Sequence, residues 1–254
     1  MFLLILQVRC VLYSRNNRPF GQSNTFSRYP YQMAYAYDHV QTSSLIGKVM
    51  GLLAFSFLFA FIGTFVGFFT IHTVTTYWIV ALGGLVVLFA LQLLIQRPGI
   101  NLFLLYLFTF LEGMSLAPLL SYYLYTNSNI LGEAFLITAL TSLALALYAW
   151  TTKRDFSGLG DYLFFGVILL LIASVVGLFF GNFFGTGIAG LIISVIGVAI
   201  FSGYILFYVQ RAKNMADTMP NAIGLTVSLF ITILNLFLYI LRILAILQGG
   251  ERRR

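Results

Sequence analysis

The stretch INLFLLYLFTFLEGMSLAPLLSYYLY, Ile100 to Tyr125, holds one charged residue, Glu112, in 26 positions. A run of about 20 apolar residues rising 1.5 Å each crosses the roughly 30 Å hydrocarbon layer of a bilayer, a length that core helices of soluble proteins do not need. Reading outward, the same pattern recurs on both sides, at Met50–Ile71, Tyr77–Gln96, Asn129–Thr151, Tyr162–Phe180, Thr186–Val209 and Ala222–Leu247. Only Glu112 and Arg242 put a charge well inside any of these runs.

Composition agrees. With 60% hydrophobic and 8% charged residues there is no polar coat for a water-soluble globule. A transmembrane barrel would need alternating segments of about ten residues, so the continuous runs predict helices. The expected fold is an all-α membrane protein, a seven-transmembrane-helix bundle. Residues 1–47 read as an N-terminal tail, 48–248 as the bundle and 249–254 as a basic C-terminal tail. Short loops leave no room for a soluble catalytic or nucleotide-binding domain.

The net charge of +7 is scattered through loops and tails, so it does not describe a basic face for nucleic acid. It reports orientation instead. Lys48, Arg97, Lys153, Arg154, Arg211 and Lys213 fall before span one and after spans two, four and six, while the loops after spans one, three and five carry no Lys or Arg. The positive-inside rule then makes the N-terminus cytoplasmic. Arg252, Arg253 and Arg254 oppose that bias if span seven crosses fully, which is the expected arrangement. A lone cysteine, Cys10, allows no internal disulfide. Residues 1–32 pair an apolar segment too short to span with a polar one and lack the pattern of a signal peptide, so translation is expected to start at Met33.

Glu112 is the first candidate for function. A carboxylate at mid-membrane costs a few kcal/mol even on lenient scales, so it is expected to be protonated, paired or wet. The plain alternative is a neutral acid serving as packing glue. Pro118 follows six residues later and frees a helix carbonyl near it. On span seven Ser228, Thr232, Asn235, Tyr239 and Arg242 recur at spacings of 4, 3, 4 and 3, one helix face that should point into the bundle. Span six offers a weaker stripe in Ser194, Gly197, Tyr204, Tyr208 and Arg211, interrupted by Phe201. Counted from the charged ends, Glu112 and Asn235 lie about 18 and 20 Å deep and are expected to meet, whereas Arg242 at about 30 Å is too far for a ready salt bridge and fits snorkelling equally well.

Gly63 with Gly67, and Gly177, Gly181 and Gly185, have the small-xxx-small spacing of close helix approach, with a dimer interface as the lesser reading. Tyr122, Tyr123 and Tyr125 suit an aromatic belt. No span carries an aspartate pair, zinc ligands, a buried Ser with His, a Schiff-base lysine or repeated arginines, so catalysis, a retinal pump and a voltage sensor are not expected. No metal site or cofactor is expected either.

Four segments together resemble the Bax inhibitor family: Glu112–Pro118, Thr152–Ser157, Phe201–Leu206, and Asn235–Phe237 leading to Leu241–Leu244. The resemblance implies a seven-helix bundle with its last helix central. It also implies association with calcium leak, gated in the family by an aspartate pair on spans six and seven. This sequence has Tyr208 and Thr232 at those positions, and neither titrates near neutral pH. A bacterial branch is resembled more closely through Ile205–Phe207 and Thr226–Leu229, which implies a modulator of the FtsH-type membrane protease in the bacterial inner membrane. The expectation is a non-enzymatic regulator of membrane protein quality control that partners the lipid bilayer and such a protease. Glu112, Tyr204, Tyr208, Ser228, Thr232, Asn235 and Arg242 form its candidate polar network. A pH-sensitive calcium or cation leak is the alternative.

Overall fold

The computed structural model describes residues 31–180 and 187–251, with side chains described over 45–177 and 187–248. The readings of residues 1–32 and of Cys10, the side taken by Arg252–Arg254, and the spacing through Gly181 and Gly185 rest on residues outside that range.

Among the described residues the chain is all helix. The elements are α1 (Tyr31–Thr70), α2 (Val74–Leu93), α3 (Ile100–Thr151), α4 (Leu159–Phe180), α5 (Gly187–Lys213) and α6 (Met219–Glu251). All six are long and apolar enough to span a bilayer. The chain is a multi-pass membrane protein. The expected seven separate helices are corrected to six elements, because spans three and four are joined in the 52 residues of α3.

That element would be about 78 Å long if straight, more than twice the hydrocarbon layer. It is not straight. Asn127 has φ −164° and ψ 88°, extended backbone inside an otherwise helical run. Contacts on either side show a reversal there. Tyr122 and Thr126 of the first limb share a cavity with Ala245 and Gln248 at the end of α6. Beyond the break, the Gln248 amide donates to Glu133 at 3.1 Å, Phe135 stacks on Phe237 at 4.5 Å, and the Ala149 carbonyl accepts from Lys213 Nζ at 2.7 Å. The second limb therefore runs back towards the end of α5. Asn127 is also clipped to α6, its amide donating to Gln248 at 3.0 Å.

Helix ends elsewhere follow local chemistry. Thr73 caps α2, its hydroxyl accepting from the Thr76 N–H at 3.2 Å. After α2 the chain turns through Gly99 at φ +82°, a left-handed backbone that favours glycine, and Asn101 fastens the turn by donating to the Ile95 carbonyl at 2.9 Å. The N-terminal tail expected over residues 1–47 and the first span share one helix, since α1 starts at Tyr31 and runs unbroken to Thr70.

The expectation of a central last helix holds. In the apolar stretch of α6, 61% of residues are buried, against 17 to 39% in the other five helices. Lipid-facing residues on the outer elements are correspondingly large and apolar, such as Phe61, Phe69 and Ile79. Tyr122 and Tyr125, 62% and 92% exposed, sit at the Asn127 end as an aromatic belt requires.

Candidate functional site

Glu112 is built into a crossing of backbones. A Cβ placed on Gly63 would lie 2.0 Å from the Phe110 carbonyl oxygen, and one placed on Gly113 would lie 2.0 Å from that of Ala60. Only glycine at both positions lets α1 and α3 approach this closely. Thr64 bridges the contact, its hydroxyl lying 2.9 Å from the Gly113 carbonyl and 3.0 Å from its own Ala60 carbonyl. One turn on, Pro118 has no N–H for the Met114 carbonyl, and Gly67 of α1 packs over that oxygen. The small-residue spacing of span one is thus spent inside the molecule.

This packing turns the Glu112 side chain towards α2. Oε1 would lie 3.6 Å from a Cβ added to Gly84, and Tyr77 is its electrostatic neighbour on the same helix. Glu112 is 7% exposed, and among the described residues it makes no ion pair. Ser115, one turn along α3, donates to the Glu112 main-chain carbonyl at 2.8 Å. The expected meeting with Asn235 is not made: the Asn235 amide donates to the Ile231 carbonyl of its own helix at 2.8 Å.

Three hydroxyls earlier on α6 do the same, whereas Tyr239 is hydrogen-bonded across to Ser174 of α4. Thr226, Ser228 and Thr232 donate to Ala222, Gly224 and Ser228 carbonyls at 2.8, 2.9 and 2.7 Å. These are i to i−4 bonds along one helix, which satisfy a hydroxyl without a partner helix. The stripe also fails to pick out one inward face, because Leu229, Phe230, Leu236 and Phe237 are buried as well.

On α5, Phe201 does not interrupt the stripe but belongs to it. It stacks on Tyr239 of α6 at 5.7 Å, and Tyr204 stacks on Tyr208 at 5.5 Å. Gly197 makes room for this, since a Cβ there would lie 2.7 Å from the Tyr239 ring. The Tyr204 hydroxyl is buried with no hydrogen-bond partner among the described residues. Tyr208 and Ser228 line a cavity of about 80 Å³ with Gln92, Arg211 and Asn221. Thr232, also fully buried, lies one turn along from Ser228. Arg242 sits at the other end of α6, electrostatically coupled to Tyr123 and Tyr239, and not beside Glu112.

Composition and periodicity pointed to none of the ties at the Lys48 end. Lys48 binds Asp217 at 2.9 Å, joining α1 to the loop before α6. Gln210 accepts from the Phe156 N–H and donates to the Arg154 carbonyl, so it pins the loop between α3 and α4 onto α5. Within that loop the Ser157 N–H and hydroxyl hold the Asp155 carboxyl below the usual carboxylate range. A polar residue at the edge of an apolar run, such as Gln210, was the available signal.

The pinned loop, Glu112–Pro118, the aromatic α5 segment and Asn235–Phe237 are four parts of one arrangement. Residues 42–249 match the family described as "Inhibitor of apoptosis-promoting Bax1". The chain belongs to the Bax inhibitor family. Among Bax inhibitor relatives, an uncharacterized protein of Campylobacter jejuni is 33% identical over 84% of this chain and 94% of its own length. An uncharacterized membrane protein of Vibrio cholerae is 34% identical over 58% of this chain and 64% of its own. Mouse protein lifeguard 4 is 31% identical over 65% and 66%. Family membership places Tyr208 and Thr232 in context: both are buried, one in an aromatic stack and the other bonded to its own helix.

Proposed function

We propose that this Bax inhibitor family protein is a non-enzymatic regulator in the bacterial inner membrane that binds and modulates a membrane-anchored, ATP-dependent protease of the FtsH type. Its N-terminus and its charged loops face the cytoplasm. The observation that carries the reading is the filled centre: Phe201 stacks on Tyr239 of α6, Tyr204 stacks on Tyr208 along α5, and Thr226, Ser228 and Thr232 bond to carbonyls of their own helix. Such a centre suits a rigid binding partner. At the Lys48 end, the helical extension of α1 from Tyr31 offers a segment that a processive protease can engage. The test is co-purification of the protease with the full chain from membranes, and again after deletion of residues 33–44. Capture that weakens with the deletion supports the proposal, and no capture of the protease by the full chain overturns it.

Glu112 favours a second reading, a calcium or cation leak. A buried acid without an ion-pair partner among the described residues is a costly feature for packing alone. Calcium flux into vesicles holding the purified chain, lost in Glu112→Gln, would carry that reading.

A further inference from the structure

A groove of about 600 Å³ opens between α1 and the two limbs of α3. Its volume falls within the roughly 300 to 1,000 Å³ of small-molecule sites. Phe57 and Phe61 form one wall, Leu124 and Phe135 the other, and Leu234 and Phe237 of α6 the floor. The central helix is thus reachable from the side of the bundle.

We propose that one acyl chain of a bilayer phospholipid occupies this groove. The rim is continuous with the lipid-facing surface, since Phe61, Phe135 and Leu124 are 70%, 51% and 47% exposed. Water is a poor occupant. The lining is almost wholly apolar, and of its three hydroxyls Thr64 is spent on the carbonyls of Ala60 and Gly113 and Thr138 on that of Ala134 at 2.7 Å. That leaves Ser142 as one unpartnered hydroxyl among the described residues, where a held water needs about two to four polar partners. A helix from another protein does not fit, because a spanning helix about 10 Å across and 30 Å long has several times this volume. A single hydrocarbon chain is long, thin, apolar and already present at this depth.

Occupancy has a consequence for the neighbouring acid. Thr64 and Ala60 line the groove and also contact Gly113, the residue after Glu112. A chain seated there presses on the α1–α3 crossing. The inference does not depend on whether the protein regulates a protease or conducts ions.

Bromine on a lipid acyl chain quenches tryptophan fluorescence on close contact, which gives the test. The full chain would carry Trp78→Phe, Trp150→Phe and Phe237→Trp, in phosphatidylcholine vesicles with and without brominated acyl chains. A chain retaining Trp78 alone supplies the lipid-exposed reference, and Phe201→Trp, at a position with no exposure, the buried one. The Phe237→Trp signal is expected to fall by the same fraction as the Trp78 reference, and to recover when Ala139→Phe is added to fill the groove. Leu234→Trp repeats the reading if Phe237→Trp does not fold. Quenching no greater than at Phe201→Trp, or quenching by aqueous acrylamide in place of bromine, overturns the proposal.

Discussion

At the scale of single residues, glycine identity decides whether α1 and α3 can meet. Gly113→Ala drives a methyl carbon to within 2.0 Å of the Ala60 carbonyl oxygen, which one rotamer change cannot relieve. Overpacking of this kind costs about 1 to 3 kcal/mol, and more where both neighbours are backbone. Gly132, with nothing within 4 Å of its Cβ position, is the matched control. Thermal unfolding in detergent should show Gly113→Ala clearly destabilised and Gly132→Ala neutral or slightly raised. Equal midpoints would refute the close crossing. The spacing of Gly63 and Gly67 was readable in the sequence as a packing signal, but Gly113 was not, since its partner is Ala60, far away in the chain. Glu112 was readable as a buried acid for the same reason that it is expensive. Its direction was not. Depth counts placed it level with Asn235, yet depth says nothing about which way a side chain leaves its helix, and the α1 contact turns it to Gly84.

Among the elements, α3 shows where reading by hydropathy stops. Both of its limbs were legible as separate spans because each holds a full crossing of apolar residues. Their junction was legible as well, since the runs ending at Tyr125 and restarting at Asn129 bracket Asn127; what hydropathy did not show is that helix resumes one residue after the break. The reversal predicts that topology reporters inserted at Asn127 and at Lys153 read opposite sides of the membrane, and that Lys153 reads the same side as Lys48. A shared side for Asn127 and Lys153 would contradict it. Ties between elements at the Lys48 end are electrostatic as well as steric. Lys48 and Asp217, with side chains 41% and 15% exposed, form a partly solvated pair, worth under about 1 kcal/mol. Asp217→Asn should therefore lower the unfolding midpoint slightly at low salt, and the difference should vanish at high salt. A large, salt-independent loss would mean that Asp217 acts through something other than this pair.

Over the whole molecule, charge and burial describe the same axis. Lys48, Lys213 and the Arg154 loop gather at one end through the contacts of Asp217, Ala149 and Gln210. The alternation of charged loops in the sequence is thus a true feature of the bundle. The central place of α6 came from the resemblance and from the polar stripe. The resemblance was the sounder guide, because a helix buried on all sides needs no stripe. Hydroxyls that bond back to their own carbonyls are compatible with any surroundings, so they mark neither a face nor a path. The middle of the bundle is filled by aromatic rings, and Thr226, Ser228, Thr232 and Asn235 of α6 are turned to carbonyls of their own helix.

Access of water to that middle is the property on which the account stands. Cys10 is the sole cysteine, so a Cys10→Ser chain accepts single reporters. In Thr232→Cys, placed at the fully buried centre of α6, a water-soluble maleimide applied to sealed membranes from either side should leave the thiol unlabelled while it labels Tyr125→Cys at the exposed rim. Labelling of Thr232→Cys at the rate of the rim control, and its suppression by calcium, would show a wet path through the bundle and contradict the closed centre.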